Sequence, residues 1–129
     1  MEWKSDFIML VENYYKIDGI LSRDGGTVFT VSLNPDCGVY EGHFPGSPVC
    51  PGVCNLQMVR ECAQEAAGRE FRIKEIKQCR YVSLMSPQTH PQVTVDLSLE
   101  PSGEGELTLL KASVLKGDEL CLSLKAVLE

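Results

Sequence analysis

Residues 42–68 read GHFPGSPVCPGVCNLQMVRECAQEAAG, and this stretch decides the fold. Its first half is punctuated by Pro45, Gly46, Pro48, Pro51 and Gly52, the chemistry of a loop. Its second half carries no further proline or glycine before Gly68 and holds the longest helical pattern in the chain. A fixed φ suits Pro51 to the first helical turn, and Gly68 suits the position just past the last, so a helix is expected from Pro51 to Gly68. Val53, Leu56, Val59, Cys62, Ala63 and Ala66 share a broad face of that helix, and few charges interrupt the rest, which predicts a largely enclosed element. His43, a potential proton carrier, is thereby held on a loop beside a helix start.

Working outward, residues 14–21 and 27–33 alternate apolar and polar side chains on either side of Arg23-Asp24-Gly25-Gly26, the pattern of a hairpin that ends at Asn34-Pro35-Asp36. Trp3, Phe7 and Leu10 at 3–4 spacing predict a short amphipathic helix over residues 2–10. Beyond the central helix come four strand stretches, residues 71–84, 92–100, 107–115 and 120–128. Ser86-Pro87, Pro101-Ser102-Gly103 and Lys116-Gly117-Asp118 separate them as turns. Two strands, one buried helix and a meander of long strands give an α+β class, a curved antiparallel sheet around one helix. With 129 residues and no repeat or linker, one domain spanning residues 1–129 is expected, small enough that a deep ligand site would need a second subunit.

The apolar share of 43% and charged share of 23% describe a globular chain rather than a disordered one. A net charge of −6 without a basic stripe argues against a general affinity for nucleic-acid phosphates. The N-terminal residues lack a basic segment followed by a long apolar run, and no uncharged run approaches membrane length, so a cytoplasmic protein without a membrane partner is expected. Cys37, Cys50, Cys54, Cys62, Cys79 and Cys121 are scattered through apolar positions, which predicts reduced, mostly buried thiols. Two histidines, His43 and His90, and no Cys-x-x-Cys pair leave no expectation of a metal or other cofactor.

His43-Phe44-Pro45-Gly46 followed by Pro48-Val49-Cys50-Pro51-Gly52-Val53 resembles the signature of bacterial 3-hydroxyacyl-acyl carrier protein dehydratases of the hot-dog fold. The match is specific over about 25 residues and looser elsewhere, where Cys79-Arg80-Tyr81 through Pro87 resembles an Ala-Arg-Phe to Pro strand of that family. The resemblance implies a dimer whose two sheets join edge to edge, each active site pairing a histidine of one subunit with a helix acid of the other. It also implies an acyl thioester substrate, on acyl carrier protein or coenzyme A, in a tunnel at that interface, within fatty acid or related acyl-chain biosynthesis.

Dehydration of a 3-hydroxyacyl thioester takes a proton from C2 and gives one to the departing C3 hydroxyl. A neutral imidazole suits the first task, which falls to His43. By resemblance the Gly52 backbone N–H stabilises the growing enolate charge, Val49 orients the imidazole through its carbonyl, and Val53 contacts the substrate. The family's acid position, however, falls on Gln57, whose amide cannot exchange a proton as a carboxyl does. Here Gln57-Met58-Val59-Arg60-Glu61 stands where the family reads Glu-Ala-Met-Ala-Gln, so acid and amide have changed places, one turn and within about 40° of each other.

Three readings follow: Glu61 serves as the acid despite an axial offset of about 6 Å; the chain is an impaired acyl-binding subunit whose partner, in a heterodimer rather than a homodimer, supplies the acid; or Glu61 directs a water in thioester hydrolysis. Against these stands a structural Glu61, satisfied by Arg60, Gln64 or the facing helix. Arg69 and Arg72 open the one basic concentration, with Lys74, Lys77 and Arg80, and could dock an acidic carrier protein or simply be the solvated side of a strand. Cys54, in the first helical turn, is either a thiol activated by the macrodipole or a small packing residue. Phe29, Met58, Tyr81 and Met85 are the candidates for limiting acyl-chain length.

Overall fold

The computed structural model describes residues 14–37, 50, 52–88, 91–103 and 105–129. The expectations for residues 2–10 and for His43, Val49 and Pro51 lie outside these residues. Strands β1 (Tyr15–Arg23) and β2 (Gly26–Leu33) form the hairpin, helix α1 runs Gly52–Ala67, and β3 (Ile73–Tyr81), β4 (Gln92–Pro101), β5 (Thr108–Lys116) and β6 (Glu119–Leu128) follow. All pairings are antiparallel in one six-stranded sheet of order β1-β2-β4-β5-β6-β3. This is the expected hot-dog arrangement, a curved sheet wrapped around one helix.

Alternation along the strands builds the core. Phe29, Val95, Val114 and Leu122 are successive cross-strand partners and all fully buried, as are Leu97, Ala112 and Leu124 in the next row. Met58, Val59, Cys62 and Ala63 of α1 pack on that surface. The helix stops where Gly68 takes φ +70°, a conformation costly for any residue with a Cβ, and its N–H closes on the Gln64 carbonyl at 2.8 Å.

Two expectations need correction. The third strand is shorter than residues 71–84, because both ends have other hydrogen-bond partners. The Phe71 N–H bonds the Gln64 side chain at 3.0 Å, and beyond Tyr81 the Val82 and Ser83 N–H groups both turn to the Cys121 carbonyl. The enclosed face of α1 also differs: Val53 is 78% exposed and Ala66 exposed, whereas the polar Asn55, Glu61 and Gln64 are buried. Apolar periodicity misplaced these residues because each polar one finds a donor: Tyr14 reaches Asn55, Tyr15 reaches Glu61, and Arg60 and the Phe71 N–H reach Gln64.

At the sheet edge, β3 behaves unlike the others. Ile76 and Tyr81 continue the inward rows, opposite Ala126 and Leu122, yet are 44% and 54% exposed.

Candidate active site

The first turn of α1 and the chain after β3 form one side of the site. Cys50, Gly52, Val53, Asn55 and Tyr81 through Met85 line a cavity of about 540 Å³. Its backbone is fixed by the Cys50 N–H, which donates to the Met85 carbonyl at 2.8 Å. Val53, Val82 and Leu84, 78%, 50% and 73% exposed, make its rim apolar.

Gly52 begins the helix with its neighbour Tyr81 laid directly against it. A Cβ at position 52 would stand 2.9 Å from the tip of the Tyr81 ring, closer than side chains pack, so any larger residue here must push the ring aside. The Tyr81 hydroxyl donates to the Gly52 carbonyl at 3.1 Å. Partial burial, and then Cys79, push the phenol up to about 12, so it is a neutral donor at any physiological pH. Of the chain-length candidates, Tyr81 and Met85 line the cavity, whereas Phe29 and Met58 are fully buried in the core.

One turn and more along the helix the environment is opposite in kind. Glu61 is 1% exposed. One carboxylate oxygen accepts from the Tyr15 hydroxyl at 2.9 Å and the other from the Gln57 amide at 2.7 Å. The Gln57 carbonyl oxygen in turn accepts from Arg60 Nε at 3.3 Å, while an Arg60 terminal nitrogen reaches Gln64 Oε1 at 3.0 Å and the Phe71 carbonyl at 2.7 Å. Tyr14 repeats the device nearby, donating to buried Asn55 at 2.7 Å. Among the described residues no buried side-chain nitrogen or oxygen is left without a partner.

The structure thus joins Gln57 and Glu61 directly, as their helical spacing suggested, and it adds Tyr15, a partner of Glu61 that was not expected. Tyr15 carried no functional signal in the sequence. The available hint was indirect: Asn55 and Glu61, once enclosed, demand donors, and Tyr14-Tyr15 at the head of an alternating strand can supply them. Neither Gln57 nor Glu61 lines the cavity.

The two arginines expected to dock a carrier already have partners. The Arg69 guanidinium lies 4.6 Å from the Phe71 ring centre, and Arg72 approaches Glu129 at 3.4 Å. Cys54 is half-buried, and burial, with Cys37 and Cys50 nearby, raises its thiol, the reverse of macrodipole activation. None of the six cysteines is in a disulfide.

A curved antiparallel sheet around one helix, with an apolar cavity at the helix start, defines a hot-dog protein. The chain belongs to the ApeI-like dehydratase family, whose sequence pattern, described as ApeI dehydratase, matches residues 21–113. It is 24% identical over 116 residues to the 3-hydroxyacyl-acyl-carrier-protein dehydratase FabZ of Lactiplantibacillus plantarum, covering 81% of this chain and 79% of that one. A structure of the dehydratase heterocomplex ApeI:P from Xenorhabdus doucetiae superposes with a TM-score of 0.62 at 18% identity, over 87% of this chain and 95% of that one. A conserved protein from Pseudomonas aeruginosa superposes with a TM-score of 0.65 at 14% identity, over 98% and 94%. No helix among the described residues is long and apolar enough to cross a membrane.

Proposed function

We propose that this chain is a dehydratase-family subunit that binds 3-hydroxyacyl or enoyl thioesters and contributes the base half of a shared site, with the acid supplied by a dehydratase-like partner. The observation that carries this reading is the state of Glu61. A general acid must come within about 3 Å of the oxygen it protonates, but this carboxylate is sealed in the protein and both its oxygens already accept hydrogen bonds. Gln57, at the family's acid position, offers an amide.

The base half is intact in sequence. His43 removes the C2 proton, its imidazole oriented by the Val49 carbonyl, and the Gly52 N–H faces the thioester oxygen as charge develops there. Val53 and the apolar rim shape the entrance for an acyl chain, and acyl carrier protein or coenzyme A carries it. The need for a partner is supported by β3, a nine-residue edge strand with inward-row side chains left uncovered. The Xenorhabdus relative, similar in fold, was solved as a dehydratase heterocomplex. A heterodimer built this way holds one complete site, His43 with the partner's acid, and one incomplete site at Gln57. Arg69 and Arg72 retain a secondary role at the carrier-facing surface, although both are engaged within the chain.

Complementation tests the reading. The chain is mixed with a dehydratase subunit that keeps its acid but has its histidine replaced by alanine, and 3-hydroxybutyryl and crotonyl N-acetylcysteamine thioesters are assayed. Turnover in the mixture that disappears on His43→Ala, by about 10²-fold or more, supports the shared site. Full turnover by the chain alone, abolished by Glu61→Gln, would replace it with the homodimeric reading in which Glu61 is the acid. Release of free thiol would point to hydrolysis instead.

A further inference from the structure

We infer that Tyr15 and Arg60 are positioning residues that hold the Gln57–Glu61 pair in one direction, amide donating and carboxylate accepting, so that position 57 presents a fixed amide where the resemblance expects an acid. The inference deepens the half-site reading above and rests on it for its functional consequence only.

An isolated glutamine can exchange its carbonyl and amide ends by rotating about its last side-chain bond. Gln57 is constrained at both ends. Its nitrogen lies 2.7 Å from a Glu61 oxygen, and its oxygen lies 3.3 Å from Arg60 Nε, an atom that can only donate. Rotation would set carbonyl against carboxylate and amide N–H against guanidinium N–H, losing both bonds.

The two outer members cannot reverse roles either. Arg60 is anchored beyond Gln57 by Gln64 and by the Phe71 carbonyl. Tyr15 is 1% exposed, and burial first, then Cys62 and Glu61 beside it, push its phenol far above the ordinary range; it keeps its proton, and toward a carboxylate oxygen, which only accepts, that hydroxyl can only donate. A permanent donor at each end therefore sets the direction of every bond between them.

The same array accepts the opposite order of acid and amide. In Gln57→Glu/Glu61→Gln, the Tyr15 hydroxyl would donate to the new amide carbonyl at 61, the amide N–H to the new carboxylate at 57, and Arg60 Nε to that carboxylate. Each donor again meets an acceptor. Neither single exchange does this. Gln57→Glu places two carboxylates side by side, and Glu61→Gln leaves Tyr15 and Gln57 one carbonyl oxygen in place of two carboxylate oxygens and adds an amide whose only nearby acceptor, the Tyr15 oxygen, is then left with no acceptor for its own proton.

A double-mutant cycle on the purified full chain, read by urea denaturation, tests this. Each single exchange is expected to raise the unfolding equilibrium constant about tenfold or more, and the double exchange to return it to within about threefold of wild type. Tyr15→Phe should shrink that coupling, and in 1H–15N spectra it should also shift the Gln57 side-chain amide resonances, which a remote packing defect would not do selectively. Additive single effects, or Gln57 amide resonances indifferent to both Tyr15→Phe and Glu61→Gln, would overturn the inference.

The double exchange also separates this array from the function assigned to it. Gain of crotonyl thioester hydration by the exchanged homomer, about 10²-fold above wild type, supports both. A coupled cycle without any such gain leaves the array standing and refutes the idea that the acid is the missing half of the site.

Discussion

The start and the middle of α1 differ in the way that separates a binding surface from a structural lock. At the start, Gly52, Val53 and Tyr81 surround a cavity of about 540 Å³ with an exposed apolar rim. Around Gln57 and Glu61, five side chains from β1 and α1 satisfy one another's hydrogen bonds, and Glu61 and Tyr15 are each 1% exposed. A site needs accessible surface to accept a ligand, whereas a carboxylate withdrawn from water needs donors first. In this protein those demands are met at two neighbouring turns of one helix, and Glu61 is committed to the second.

The sharpest way to break that contrast is Glu61→Ala. It strands the buried Tyr15 hydroxyl and the half-buried Gln57 amide, and a loss of about 2–5 kcal/mol in urea-derived stability is expected. A loss below about 0.5 kcal/mol would mean that water already reaches this cluster. At the open end, Gly52→Ala drives a methyl into the Tyr81 ring. It should cost about 1–3 kcal/mol and weaken thioester binding, with Tyr81→Ala in the same chain relieving the strain.

Alkali distinguishes the two tyrosines. Both phenols are raised in the folded chain, so the folded state keeps protons that the unfolded state gives up above pH 10. Their stability contributions are complete below pH 10 and fall as pH rises past it, for Tyr15 by up to about 1.4 kcal/mol per pH unit. Tyr15→Phe should reduce the slope of stability between pH 10 and 11 more than Tyr81→Phe does, because Tyr81 is 54% exposed, and buried Cys62, also raised, carries part of what remains. The smallest effect is expected from Arg72→Ala. Its pair with Glu129 is exposed to solvent on both sides, and no measurable shift in the denaturation midpoint should follow.

Much of the fold was legible because local rules and burial agreed. The hairpin at Arg23–Gly26, the strand end at Asn34, the helix stop at Gly68 and the three strands after residue 91 all appear within one or two residues of their expected bounds. The third strand was misjudged where side-chain and carbonyl partners from Gln64 and Cys121 captured its terminal N–H groups. The enclosed face of the helix was misjudged for a related reason. Periodicity counts apolar residues, and it has no means of knowing that a polar residue will find a tyrosine more than forty residues earlier in the chain.

The sequence by itself determined the family, through the motif from His43 to Val53, and by resemblance it pointed to an exchange of acid and amide between positions 57 and 61. Only the tertiary structure decided what that exchange means. Helical spacing brings Gln57 and Glu61 to one side of α1, but a carboxylate is an acid or an anchor according to what surrounds it. Here the folding of Tyr15 onto the helix and the grip of Arg60 on Gln57 set those surroundings.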